Sequence, residues 1–319
     1  MTQLGEGVAV GIFIPSGDTA HSESTCPWHG PAEEGSAKPM EKQASDEDGH
    51  APIPPNLGEK LGKNLDAAKD KEPAADSVTL HFRPAEVITF KAGSKEVQRY
   101  TPTEEQTRIY PLQYAPHHLV PGNESLKGSA ILPFMGAASV IQDYKPPSAS
   151  KIKDGKSIGY DVNAAENGVW LPSPYALSMN NKWPSQDGIK ALLKQFDQRA
   201  VDDAEAFKAF YTAASIENSG GRQFHMRHAG YSAKVKEILN AMADKVKVSA
   251  TQCPVTGSSD GKFDPPTGIK AKLNGLSSRL RSLLTGPVWH PPFFTDDLSN
   301  RYLGGRVAVQ SDTNHLRVM

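Results

Sequence analysis

Three features of the 319-residue chain predict an α+β fold. Short alternating apolar runs fill positions 78–100, and amphipathic helical stretches occupy the second half. Between them lies a loop-rich region, roughly 101–187, that follows neither period. Hydrophobic residues make up 38% of the chain, enough for a core, while 25 prolines and 27 glycines commit much of the backbone to loops. At about 100–200 residues per domain, the length allows two domains or one with a long arm. No apolar run approaches the roughly 20 residues that span a bilayer, so an integral membrane protein is not expected. The run at 7–14 lacks the basic start of a secretory signal.

Taken in order, positions 8–14 suit one short strand. Positions 16–76 are rich in Pro, Gly, Glu, Asp, Lys and Ala, and too poor in large apolar groups to offset the entropy of ordering; they read as a largely disordered arm. Strands are expected at 78–82, 87–90 and 97–100, with Arg83-Pro84 and Ala92-Gly93-Ser94 as hairpin breaks. Leu132, Phe134 and Met135 read as core. Asn167-Gly168 is a turn signal, and the run at 169–171 is a short apolar strand. Ile189, Leu192, Leu193 and Phe196 begin a helical stretch over 188–216. A second helix starts near Tyr231, with Val235, Ile238, Leu239, Met242 and Val246 on one face and Lys234, Lys236, Lys245 and Lys247 flanking it. A third, over 269–284, buries Leu273, Leu276, Leu280 and Leu283. Composition shifts divide the chain into an acidic arm (1–76), a β-rich segment (77–109), a central domain (110–248) and a basic helical extension (249–319).

Charge is unevenly spread. Residues 1–76 hold 6 Lys/Arg against 14 Asp/Glu, a net of −8; 77–221 are neutral; 222–319 hold 14 against 7, a net of +7. A basic end of this kind suits a polyanion, although chains that bind nothing anionic also show it. Two cysteines, Cys26 and Cys253, do not make a disulfide scaffold, and whether they pair is left open. Cys26-Pro27-Trp28-His29, with Cys253 and His290, has part of a zinc spacing but reads first as weakly interacting side chains. The turn Trp289-His290-Pro291-Pro292-Phe293-Phe294 reads as a packing element or partner surface.

Four of the ten histidines fall in two clusters, His117-His118 and His225-Met226-Arg227-His228. Adjacent strand residues face opposite sides, so the first pair shares one site only where the backbone bends, as Pro116 and Pro121 permit. Histidines three apart at a helix start share a face, a workable metal-ligand spacing. Neutral imidazole suits a divalent ion and also serves as a general base. Solvated or ordinarily hydrogen-bonded histidines are the plainer alternative.

The order His117-His118-Leu119-Val120-Pro121-Gly122-Asn123, then the run from Ile158-Gly159-Tyr160-Asp161-Val162-Asn163 to Asn167-Gly168-Val169-Trp170-Leu171-Pro172, then His225-x-x-His228 before Tyr231, resembles the AHH nucleases of the HNH/endonuclease VII superfamily. The resemblance covers roughly 110–248. It implies a ββα-metal motif embedded in a larger helix-rich domain. His117, His225 and His228 would be metal ligands, or the last two phosphate contacts, and His228 would stand among the catalytic residues. His118 would be the general base and Asn167 the asparagine that organises the loop. Arg222, Arg227 and Lys234 would meet nucleic-acid phosphates. The ion would be divalent, with magnesium serving in cells and zinc, nickel or manganese as alternatives. Pro116 stands where the family has alanine, and the stretch between Pro172 and His225 is long.

The resemblance further implies an endonuclease acting on DNA in preference to RNA, with little sequence preference. It would work as an antibacterial toxin made in the cytoplasm and delivered without a cleavable signal, for instance by type VI secretion. A secretion or adaptor protein would bind the N-terminal arm, a cognate immunity protein would cover the basic face, and no membrane partner is expected. A metal-independent RNase of the same fold and a non-catalytic nuclease-fold adaptor remain the alternatives.

Overall fold

The structure is a computed structural model that describes residues 28, 57–74, 76–82, 85–92, 95–102, 106–135, 151–153, 158–177, 183–185, 187–189, 191, 204–226, 229–253, 262–266 and 268–286. The strand expected at 8–14, Cys26, His29 and the turn at 289–294 lie outside these residues. The fold mixes helix and strand. Its main elements are α1 (Leu57–Ala67), β1 (Asp76–Phe82), β2 (Ala85–Ala92), β3 (Lys95–Pro102), β4 (Gln106–His118), β5 (Gly168–Ser173), α2 (Ala204–Asn218), α3 (Ala229–Gln252) and α4 (Gly268–Thr285). Among the described residues no helix is long and apolar enough to cross a membrane.

The strands form a three-stranded sheet, ordered β1-β4-β5, and a separate antiparallel pair, β2-β3. Of the two breaks expected to close hairpins, only the one after Ala92 joins paired strands, with Ala92 opposite Lys95. Strand β1 pairs instead with β4, antiparallel, from Asp76 opposite Leu112 to Phe82 opposite Gln106. Strand β4 lies in the region read as loop, and it tolerates Pro111 and Pro116. Tyr110, Leu112 and Tyr114 are buried along it at the two-residue period of a strand with one face inward.

The chain divides into two compact units that interleave in sequence. One takes its residues from Met1–Glu72, Pro116–Trp170 and Arg227–Thr295, the other from Pro73–Ala115, Leu171–Met226 and Asp296–Met319. In the second unit α2 packs on β1, and an aromatic cluster fills the core. Phe207 meets Tyr110 edge-on at 5.1 Å, and Trp183 stacks on Phe224 at 5.7 Å. The Tyr211 hydroxyl donates to the Pro111 carbonyl at 2.7 Å, satisfying a buried phenol. Of the helix expected over 188–216, the described residues 187–189 and 191 are helical, and α2 follows. Gly220 and Gly221, both at positive φ, follow α2 and turn the chain away from it.

The first unit holds α1, α3 and α4. Helix α1 departs from the arm expected over 16–76. Leu61 and Leu65 share one of its faces, are fully buried, and cover Gly168 so closely that a Cβ there would stand 2.7 Å from Leu61 Cδ1. Burying each leucine contributes about 1.5–3 kcal/mol, enough to order a short helix in a polar stretch. The Trp170 indole then donates to the Asp70 carbonyl at 2.9 Å and fixes the helix exit. Helix α3 buries Tyr231, Val235, Leu239, Ala243 and Val246, the face that its period predicts, against the turn Gly122–Leu126. Helix α4 buries Ile269, Leu273, Leu276, Leu280 and Leu284 in the same way and packs on the turn Ala165–Asn167.

Candidate active site

The His-His pair ends β4, and its two rings point to opposite sides, as the alternation of a strand requires. His117 is buried, with its ring edge-on to Tyr231 at 5.2 Å. His118 is half-buried, and its Nε2 lies 3.0 Å from Asn163 Oδ1. The pair therefore divides into an inward ring and an outward one with no convergence of the two.

Asn167 ties this strand end to the loop that precedes β5. Its side chain is fully buried. Oδ1 accepts the Val120 N–H at 2.8 Å and the Ser277 hydroxyl at 2.8 Å. Nδ2 donates to the Val120 carbonyl at 3.0 Å and the Val162 carbonyl at 2.8 Å. Its own carbonyl accepts the Leu119 N–H at 2.9 Å. One asparagine thus binds the segment after His118 to both ends of the loop 162–167, and it uses donor and acceptor to capacity.

Helix α3 lies behind His117. The Tyr231 hydroxyl donates to the Leu119 carbonyl at 2.6 Å, and Ser232 hydrogen-bonds Glu124 through its hydroxyl. Burial, with Tyr160 nearby, pushes the Tyr231 phenol well above its ordinary range, and burial raises Tyr160 too. Both phenols therefore stay protonated near neutral pH, and neither is an acid–base group there. Helix α4 braces the loop from another side. The Arg281 guanidinium donates to the Ala165 carbonyl at 2.9 Å while it pairs with Asp70 at 2.7 Å. Ser277, one turn earlier, supplies the hydroxyl on Asn167.

The remaining expected site residues fall elsewhere. His225 does not stand at a helix start: it lies in the extended stretch after Gly221, and its N–H donates to the Pro172 carbonyl at 2.7 Å. The helical spacing that would put it on one face with His228 therefore does not apply to it. His225 and Arg222 belong to the second unit, whereas His117, His118 and Asn167 belong to the first. In that second unit, burial raises the Tyr114 phenol against the opposing pull of the Arg222 charge. Lys234 sits on α3 and pairs with Glu237 at 2.7 Å, so its charge is already partly met. His228 and Arg227 lie outside the described residues.

Among the described residues no three His, Cys, Asp or Glu side chains gather closely enough to hold an ion. The described donors do not by themselves compose the divalent-metal site that the resemblance implies. What the described residues do assemble is an oriented, half-buried imidazole beside a loop fixed by buried hydrogen bonds. Such a group can accept a proton from a nucleophile.

Sequence reasoning missed the parts of Asn163, Asn64 and Ser277. The Asp161-x-Asn163 spacing does signal a local turn, and the Asp161 carboxylate accepts the Asn163 N–H at 2.9 Å. Nothing local signals that Asn163 reaches a ring 45 positions away. Comparison with protein-family models, curated proteins and solved structures returns no match to this chain.

Proposed function

We propose that the chain is an endonuclease that hydrolyses phosphodiester bonds, with His118 as general base. The observation that carries this reading is the imidazole of His118, held at the end of β4 by Asn163 and followed directly by the segment that Asn167 locks. A water placed at His118 gives up its proton to the ring as its oxygen attacks phosphorus. The P–O bond to the 3′ oxygen breaks, and that oxygen takes a proton from solvent. A positioned base of this kind accelerates the step by about 10²–10⁴-fold. DNA is the preferred substrate on the strength of the resemblance alone.

The same resemblance supports a role as an antibacterial toxin, delivered to a competitor and restrained in its producer by an immunity protein. The net of +7 over residues 222–319 fits an acidic inhibitor as well as a phosphate backbone.

The test is cleavage of supercoiled plasmid by wild type and His118→Ala, with magnesium and with EDTA, and the same four conditions on RNA. Nicking and linearisation by the wild type, lost in a folded His118→Ala protein, is the expected outcome. Loss in EDTA would add an ion to the reading, and cleavage of RNA alone in EDTA would move it to a metal-independent ribonuclease. Folded wild type that cuts neither polymer would leave the binding-protein alternative.

A further inference from the structure

We infer that Asn163 is the positioning residue of His118, setting both the plane of its ring and the nitrogen that accepts the proton. This rests on the reading of His118 as the base. The contact joins Nε2 to Asn163 Oδ1 at 3.0 Å. An amide oxygen has lone pairs and no hydrogen, so it is a hydrogen bond only when Nε2 carries the ring proton. A neutral imidazole holds one N–H, and its lone pair then lies on Nδ1. Asn163 thereby selects Nδ1 as the basic atom.

The contact also favours the reaction over the resting state. When Nδ1 takes the proton of water, the ring becomes a cation and its Nε2–H a charged donor. Hydrogen bonds from charged donors are about twice as strong as neutral ones, so the bond to Asn163 tightens as the transition state forms. An oxygen in this position acts on kcat more than on substrate binding.

Asn163 is itself held for the task. The residue is 5% exposed. Its N–H is taken by Asp161 Oδ1 at 2.9 Å, and its carbonyl accepts Asn64 Nδ2 at 2.7 Å. Asn64 stands on α1 between the buried Leu61 and Leu65. The base is therefore oriented through two steps, from α1 to the backbone of Asn163 and from its side chain to the ring. Asn167 is a useful contrast: three of its four side-chain bonds go to backbone and the fourth to Ser277, whereas Asn163 Oδ1 goes to the reactive ring itself.

The test uses the full chain labelled with ¹⁵N-histidine at about pH 8, where imidazole is neutral. Long-range ¹H–¹⁵N correlation reads the tautomer of His118, assigned by the signal lost in His118→Ala. The wild type is expected to show the Nε2–H form alone, and Asn163→Ala a mixture of the two. On plasmid, Asn163→Ala is expected to lower kcat about 100-fold with KM moved less than about threefold, and Asn163→Asp, which keeps an acceptor oxygen, to stay within about tenfold of wild type. A wild-type His118 in the Nδ1–H form overturns the inference. So does a folded Asn163→Ala protein that cleaves like wild type. The wild-type spectrum needs only a folded His118→Ala protein for its assignment and no activity, so a chain that cuts nothing sinks the nuclease reading while the tautomer still decides the place of Asn163.

Discussion

Replacing Asn167 by alanine strands four groups at once: the Val120 N–H and carbonyl, the Val162 carbonyl and the Ser277 hydroxyl. Each buried polar group left unmet costs about 1–3 kcal/mol, and partial repacking keeps the total near about 4 kcal/mol. Asn167→Asp fares no better, because a carboxylate there faces two carbonyl oxygens it cannot bond. His118→Ala is expected to behave in the opposite way. The ring is half-buried, so its removal costs under about 1 kcal/mol of stability while it abolishes cleavage. Urea denaturation of the two alanine variants checks this separation, and an Asn167→Ala protein as stable as wild type would sink the keystone role. Asn167 was legible because Asn-Gly is a turn signal that needs no partner. Asn163 was not, because its meaning arises only when α1 and β4 close on its loop.

At the scale of elements, the least legible was α1. It lies in a stretch whose average composition reads as an arm, and only the spacing of Leu61 and Leu65 separates it from its surroundings. Those two leucines acquire their value from Gly168, a hundred residues on, where the absent side chain admits them. Leu65→Ala is therefore expected to cost about 2–5 kcal/mol, the ordinary price of a core leucine. It should also loosen Asn64 and, through Asn163, the ring of His118. Thermal unfolding and the His118 tautomer signal measure both effects together. Unchanged values would mean that α1 is the appendage its composition suggests. Helices α3 and α4 were legible because a 3.6-residue apolar period survives averaging. Strand β4 was obscured by its two prolines, although Tyr110, Leu112 and Tyr114 keep the two-residue period across Pro111.

For the molecule as a whole, buried phenols set its response to alkali. Tyr160, Tyr231 and Tyr211 all have their ionisation pushed above the ordinary tyrosine range, by burial first. The unfolded chain releases these protons near pH 10, while the folded chain still holds them. Folding stability from these groups is therefore fully present below about pH 10 and falls as pH rises further, the slope rising towards about 1.4 kcal/mol per pH unit for each tyrosine. Tyr160 and Tyr231 belong to the first unit, and Tyr211 and Tyr114, whose phenol burial also raises, to the second. If the units unfold separately, each carries two such phenols and loses at most about 3 kcal/mol per pH unit. Urea unfolding followed by circular dichroism at about pH 10 and about pH 11 tests this, with tyrosinate absorbance read alongside. A stability that stays level across that interval, with all the phenols ionising near pH 10, would show that these three hydroxyls are open to solvent. The Tyr231 bond to Leu119, which backs the His117 side of β4, would then be lost with them.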